Sequence, residues 1–265
     1  MSDQPAGSPA LPPRRPWPLE QVWQQTERVL PGLTVELLPQ VDSTNSELMR
    51  RARAGQHHTV LLLAEQQSAG RGRQGRAWHS ETDSSLTFSL GLVLDPQDWW
   101  GLSLAVGVAI ATALHPQVRL KWPNDLWVDD AKLGGILIET APVDKDRRAR
   151  YAIVGVGLNI RPRAADGLST PPAWIGQLRP ELDAGDTLLA ILPGLAFALQ
   201  RFQADGFGPF RQAFADRDAV AGREVNLSDG KTGTARGVDG QGALLVHTAA
   251  GEVVISSSEV SVRPA

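Results

Sequence analysis

The chain has 265 residues, 42% of them hydrophobic, a formal net charge of -3 and no cysteine. A chain of this length buries a substantial core and suits one large domain with a small companion, while the missing thiols exclude disulfides, thiolate metal sites and a thiol nucleophile. The slight acidity argues against general attraction to nucleic acid, and no apolar run is read as long enough to cross a bilayer or to act as a signal peptide. The expectation is therefore a cytoplasmic protein with no specific nucleic-acid or membrane partner.

Residues 1–18 contain Pro5, Pro9, Pro12, Pro13, Pro16 and Pro18 with Gly and Ser between them, and read as a disordered or extended tail. Leu19 to Leu30 places Leu19, Val22, Trp23, Thr26 and Leu30 on one helical face, and Leu33 to Leu38 is β-prone. Thr44 and Glu47 fit a capping box that opens a helix through Leu48 and Met49 and stops at Gly55. Thr59 to Ala64 reads as a buried strand, and Leu86, Phe88, Leu90, Leu92 and Leu94 alternate as in a half-buried one. Leu102 to Leu114 predicts an apolar helix, followed by short strands at Val118 to Trp122, Leu126 to Val128, Leu133 to Glu139 and Ala152 to Ile160. Helices resume from about Asp186 to Phe202, with a kink expected at Pro193, and from Phe207 to Asp216. After Gly222, short strands separated by Asp229-Gly230, Asp239-Gly240 and Ala250-Gly251 predict an all-β module of about five strands. Grouped strands with separate helices give an α+β class, with a tail at 1–18, a large domain at 19–218 and a small one at 219–265.

Between the two strands that flank it, the segment from Gln67 to Trp78 concentrates Gly70, Gly72 and Gly75 with Arg71, Arg73 and Arg76. Glycines remove Cβ atoms and permit positive φ, and guanidinium forks match oxyanions, so this loop is built to hold an anion. It satisfies G-x-G-x-x-G, but Trp78 to Ser85 shows no helical apolar period, so a dinucleotide turn fails on context. A Walker loop fails as well, since Gly75 is followed by Arg76-Ala77 in place of Lys and Ser/Thr. A solvated basic loop is the bland alternative.

Three more clusters weigh against that alternative. Lys121-Trp122-Pro123-Asn124-Asp125 sets an amide and a carboxylate on a turn between strands. Lys132-Leu133-Gly134-Gly135 places a lysine beside paired glycines, and Val154-Gly155-Val156-Gly157-Leu158-Asn159-Ile160 ends an apolar strand with glycines and one amide. Singly each has an ordinary explanation as a turn, a hairpin tip or a bulge. The histidines show no metal-ligand spacing and no serine-histidine triad motif is visible.

Together and in this order, the glycine-arginine loop, Lys-Trp-Pro-Asn-Asp-Leu, Lys-Leu-Gly-Gly-Ile-Leu-Ile-Glu and Gly-Val-Gly-Leu-Asn-Ile resemble the biotin protein ligases, preceded by Asp42-Ser43-Thr44-Asn45-Ser46, which is similar to that family's serine-threonine-asparagine motif. The resemblance runs from about Val41 to the C-terminus. It implies a catalytic domain similar to class II aminoacyl-tRNA synthetases and an SH3-like C-terminal barrel. Gln74 stands where many members carry a further arginine. The segment ahead of the motif is too short for a winged helix-turn-helix, which points to the monofunctional type.

What the resemblance implies is two-step chemistry. The carboxylate of biotin attacks the α-phosphate of ATP to give biotinyl-5′-AMP, and a lysine of the biotin carboxyl carrier protein of acetyl-CoA carboxylase then attacks the mixed anhydride. Two unit charges 4 Å apart repel by roughly 4 kcal/mol at an effective dielectric near 20, so several cations are needed. Arg71, Arg73 and Lys132 carry the catalytic roles by this transfer. Ser43, Thr44, Asn45, Gln67, Arg71, Gly72, Arg73, Lys132 and Gly135 take biotin, and Arg71, Arg73, Arg76, Trp78, Asn124, Asp125, Lys132 and Asn159 take ATP. Magnesium would bridge the triphosphate, with Asp125 or Asn124 as its protein contact. The resemblance leaves a homodimer open. The expected lid is the loop at 70–78, mobile without ligand and ordered by biotin or biotinyl-AMP. The rival readings are a lipoate-protein ligase and a non-catalytic regulator that binds biotinyl-AMP or nucleic acid.

Overall fold

The computed structural model describes residues 16–144, 148–163, 170–227, 230–256 and 262–264. Most of the expected proline-rich tail, up to residue 15, lies outside the described residues, as does Asp229 of the first turn expected in the small module. The larger unit contains α1 (Leu19–Thr26), β1 (Thr34–Val41), α2 (Thr44–Arg53), β2 (Val60–Gln67), β3 (Ser85–Leu94), α3 (Leu102–Leu114), β4 (Arg119–Lys121), β5 (Asp125–Val128), β6 (Ala131–Pro142), β7 (Arg150–Asn159), α4 (Ala184–Asp205) and α5 (Arg211–Ala215). The smaller contains β8 (Glu224–Leu227), β9 (Thr232–Val238), β10 (Leu244–Thr248), β11 (Gly251–Ile255) and β12 (Val262–Pro264).

The first seven strands form one mixed sheet in the order β1-β2-β3-β7-β6-β5-β4. β1 and β2 are parallel because α2 crosses over between them, and every other neighbouring pair is antiparallel. The β5–β6 hairpin turns through Asp129 and Asp130, both at positive φ (46° and 62°), the geometry that matches strand twist in a two-residue turn. The remaining strands make a five-stranded antiparallel sheet in the order β11-β10-β9-β8-β12.

Alternation along the strands sorts the side chains onto two faces. Leu61, Leu63, Leu86, Phe88, Leu90, Val154, Val156, Leu158 and Ile136 point into the main core with α3 and α4. Each fully buried aliphatic side chain there stabilises by about 1.5–3 kcal/mol relative to exposure. Val60, Leu62, Ala141, Tyr151 and Ile153 meet Leu48 and Ala52 of α2 on the opposite face. That smaller cluster covers only part of the face, and the functional cavity occupies the neighbouring area.

Several expectations change. β3 is buried on both faces except at Val93, since α2 covers what a half-buried strand would leave open. α1 ends at Thr26, and Trp23 is 42% exposed, so Val22, Thr26 and Leu30 carry the buried stripe without it. The cap of α2 is Ser43, whose side chain accepts from the Ser46 N–H; Thr44 is turned to the sheet and takes no part as a cap. α4 begins two residues before Asp186 and stays helical through Pro193. Its 22 residues are long and apolar enough to cross a membrane by length and composition, against the sequence expectation. Its Leu188, Ile191, Leu192, Leu195, Leu199 and Phe202 are spent on the core instead.

The two sheets are joined by direct contacts. Trp122 Nε1 donates to the Gly242 carbonyl at 3.0 Å in a buried setting, and Arg211 Nε donates to the Val238 carbonyl at 3.2 Å.

Candidate active site

A cavity of about 450 Å³ opens on the α2 face of the large sheet. Its floor is β3, β7 and β6, and glycine makes that floor possible. A Cβ on Gly155 would sit 2.1 Å from Asn45 Oδ1, and one on Gly157 would sit 2.4 Å from the Trp78 ring. The pattern Val154-Gly155-Val156-Gly157 therefore has a physical reading: valines enter the core on one face while glycines leave room for two cavity-wall residues on the other.

One wall comes from the start of α2 and the end of β2. Gln67 Oε1 accepts from the Thr44 backbone N–H at 2.8 Å and lies 3.2 Å from Thr44 Oγ1. Ser89 Oγ is 2.6 Å from Asn45 Oδ1 and 2.7 Å from Thr44 Oγ1. An amide carbonyl can only accept, so the Ser89 proton serves Asn45 and the Thr44 hydroxyl supplies its own proton to a neighbour. Asn45 is 3% exposed and its amide donates to the Leu137 carbonyl at 3.1 Å and to Glu139 Oε2 at 2.9 Å. Asn45 thus lines the cavity while its polar atoms are committed inward.

The glycine-arginine loop forms the roof. Gly72 N–H donates to the Arg76 carbonyl at 2.7 Å and Trp78 N–H to the Gly70 carbonyl at 2.8 Å, closing the loop on itself. Gly70 is required by space, since a Cβ would lie 2.3 Å from the Trp78 carbonyl oxygen, and Gly75 by its φ of +71°. Gly72 is extended, and it is Gln74 that takes the other left-handed backbone, at φ 56°. Gln74 also accepts from Arg76 Nη2 at 3.3 Å, so replacing an arginine here provides a neutral acceptor between cations.

Arg73 reaches into the cavity and donates to Asn124 Oδ1 at 3.0 Å. Burial pushes its guanidinium below the ordinary value; nearby Asp125 opposes that shift and Arg76 adds to it. Lys132 Nζ, on β6, is 2.7 Å from Asp125 Oδ1, with Lys121 Nζ 3.9 Å from the other oxygen. Arg71 turns to the rim, where its Nη2 is 2.9 Å from Glu139 Oε1. Asn159 is buried and braces the wall: its amide donates to the Lys132 and Ala173 carbonyls at 3.1 and 2.9 Å, while its oxygen accepts from Arg163 at 3.3 Å. Trp78 stands between Gly157 and Arg163, whose guanidinium carbon lies 5.9 Å from the ring centroid.

The structure brings all the expected residues to this one cavity: Ser43, Thr44, Asn45, Gln67, Arg71, Gly72, Arg73, Arg76, Trp78, Asn124, Asp125, Lys132, Gly135 and Asn159. The sequence reading omitted Arg163, Ser89 and Glu139. Glu139 carried a signal, a charge at the end of the apolar run Ile136-Leu137-Ile138; Ser89 and Arg163 offered none. Among the described lining residues, Arg71, Arg73, Arg76, Lys132 and Arg163 outnumber the carboxylate of Asp125, with Glu139 paired to Arg71 at the rim, a local cationic excess in a chain of net charge -3. Such a wall attracts anions and offsets their mutual repulsion.

A magnesium ion held by the protein does not fit this donor set. Asp125 is already engaged by Lys132, Asn124 Oδ1 accepts from Arg73, and the Asn124 amide donates to the Ile136 carbonyl at 2.8 Å. No group of three or more His, Asp or Glu side chains converges on a common point among the described residues. An ion at this site would rest on phosphate oxygens.

The family matches of the large α+β domain and of the small antiparallel module place the chain among ligases of the biotin/lipoate class. Residues 37–159 match the Biotin/lipoate A/B protein ligase family and residues 220–263 match the Biotin protein ligase C terminal domain, which is SH3-like. The bifunctional ligase/repressor BirA of Escherichia coli is 34% identical over 232 residues, covering 82% of this chain and 70% of that protein. The biotin-[acetyl-CoA-carboxylase] ligase of Paracoccus denitrificans is 34% identical over 247 residues, covering 84% and 98%. The Aquifex aeolicus biotin protein ligase, solved in complex with biotin and ATP, superposes with a TM-score of 0.73 at 28% identity, covering 88% of this chain and 99% of that one. The chain belongs to the biotin protein ligase family, and is an enzyme of biotin ligation.

Proposed function

We propose that the cavity activates biotin with ATP as biotinyl-5′-AMP and passes the biotinyl group to a lysine of the biotin carboxyl carrier protein of acetyl-CoA carboxylase. A biotin carboxylate oxygen bonds to the α-phosphorus as the bond to the β-phosphate bridging oxygen breaks, and pyrophosphate leaves. The carrier lysine amine then attacks the acyl carbon, the bond to AMP breaks, and the nitrogen loses a proton.

The observation that carries this reading is the placement of Arg73 and the Lys132–Asp125 pair in the same cavity as the Thr44–Gln67 wall. The neutral ureido ring fits the Ser43, Thr44 and Gln67 end, which offers a few fixed polar groups beside an apolar strand face. Carboxylate and α-phosphate meet at Arg73 and Lys132. Arg73 presents a planar fork to two oxygens and Lys132 a compact charge, both aimed where negative charge accumulates. Trp78, Arg163 and Asn159 border the space left for the adenosine. Magnesium travels with the triphosphate, and Asp125 acts first by holding Lys132. The acceptor protein, a cytoplasmic setting and a homodimer are part of this proposal.

A lipoate ligase is the competing reading, because the first family description includes it. Pyrophosphate exchange into ATP decides between them. Exchange supported by biotin is expected, and exchange supported by lipoate but not biotin would overturn the substrate assignment.

A further inference from the structure

Glu139 lies on the cavity face of β6, in line with Gly135 and Leu137, and its side chain is 22% exposed. A carboxylate there is out of place electrostatically, beside a cavity whose wall otherwise collects cations. Its two oxygens are taken from two directions. Oε1 accepts from Arg71 Nη2 at 2.9 Å, while Oε2 accepts from the buried Asn45 amide at 2.9 Å. Arg71 Nη1 adds a 3.2 Å contact to Ser46 Oγ and a longer one, 3.5 Å, to Glu139 Oε2. From Asn45 the contacts run on through Ser89 to Thr44 and Gln67.

We propose that Glu139 is a positioning residue that clamps Arg71, and with it the loop at 70–78, onto the same buried network that builds the Thr44–Gln67 wall. The inference rests on the substrate reading above and adds to it a residue that holds the intermediate without touching it. Three features support a clamp over an incidental surface pair. The Glu139 carboxylate is anchored from behind by an amide that cannot turn away, because Gly155 packs against one side of Asn45 and Ser89 holds its oxygen. Arg71 presents a fixed fork, so the pairing sets a direction as well as a distance. Release of Arg71 would leave a carboxylate bare on the rim of a cavity meant for two anions, so Arg71 keeps its partner when ligand arrives and directs its remaining N–H groups inward. The loop is thereby tied to the wall that senses the ureido end, which couples filling of that end to closure over the mixed anhydride.

The test uses the full chain as wild type, Glu139→Gln, Arg71→Ala and the double variant. Glutamine keeps the volume and an acceptor for Asn45 but loses the charge. Each protein is loaded with biotin, ATP and magnesium, escape of biotinyl-AMP is timed in a chase with unlabelled biotin, and amide hydrogen exchange is followed across residues 70–78. Glu139→Gln is expected to release the intermediate roughly tenfold faster, in line with the loss of one charge-assisted pair, and to lose protection at 70–78 with α3 unchanged. In the Arg71→Ala background the same change should add less than twofold. Wild-type retention and protection in Glu139→Gln, or effects that multiply in the double variant, would overturn the clamp. Should the wild type form no biotinyl-AMP, the substrate reading fails, and loop protection in the ligand-free proteins still decides the role of Glu139.

Discussion

Substitution of Gly155 by alanine probes the cavity floor with a single methyl group. The new Cβ would fall 2.1 Å from Asn45 Oδ1 and 2.8 Å from its Cγ, closer than any real contact, and neither β7 nor the buried start of α2 has room to give. Asn45 must therefore swing out and surrender its bonds to Ser89, Leu137 and Glu139. At about 1 kcal/mol for each neutral bond and about 1.5–3 for the charged one, the loss is roughly 3–5 kcal/mol, less whatever water recovers. For a chain of this size that is about 6–20 °C in melting temperature, and biotin affinity should fall at least about tenfold because Thr44 shares the network. Calorimetry and biotin titration measure both. The mechanism has an internal control, since Asn45→Ala removes the clash. The double variant Gly155→Ala/Asn45→Ala should be no worse than Asn45→Ala alone. A Gly155→Ala protein that melts and binds biotin like wild type, or a double variant whose losses simply add, would refute this account of the floor.

Lys132→Ala should lower adenylation by about 10²–10³, the scale expected when one electrostatic contact to a developing charge is removed, with little change in melting because Lys121 remains 3.9 Å from Asp125; pyrophosphate exchange and calorimetry measure the two effects. Gly157→Ala would place a methyl group 2.4 Å from the Trp78 ring, so the Michaelis constant for ATP should rise about tenfold or more with a smaller change for biotin, read from initial rates. Asp218, at the junction before β8, has a carboxyl pushed above its ordinary range by burial, against the N–H bonds from Val220 and Ala221, and its Oδ2 is buried without a hydrogen-bond partner among the described residues. A raised carboxyl favours the folded state while protonated and loses that contribution as pH rises through the folded value. Asp218→Asn should therefore raise the melting temperature at about pH 7.5 and leave it unchanged at pH values below the ordinary carboxyl range, checked by melting across that interval.

How much was legible in the sequence depended on how local the cause was. The glycine-arginine loop and the apolar strands that flank it speak through neighbours in the chain, and the structure sets the loop between β2 and β3 as read. The α2 start was displaced by one residue because Thr44 is claimed by Gln67, 23 positions away, and no local capping rule carries that information. The roles of the glycines shifted for the same reason. Only Gly75 of the loop needs positive φ, while Gly70, Gly155 and Gly157 are demanded by side chains or backbone that arrive from other elements. Asn45 and Glu139 are 94 residues apart, and their bond, which organises the rim, follows only from the packing of α2 across β6 and β7.

The central claim, that this cavity makes an acyl adenylate of biotin and hands it to a carrier lysine, is tested most directly by intact mass spectrometry of a biotin carboxyl carrier domain incubated with the enzyme, ATP, magnesium and either biotin or lipoate. The account predicts one biotinyl group per carrier, dependent on ATP and on the carrier's acceptor lysine, and strongly reduced with Lys132→Ala. An unmodified carrier with biotin and a lipoylated one with lipoate would contradict it.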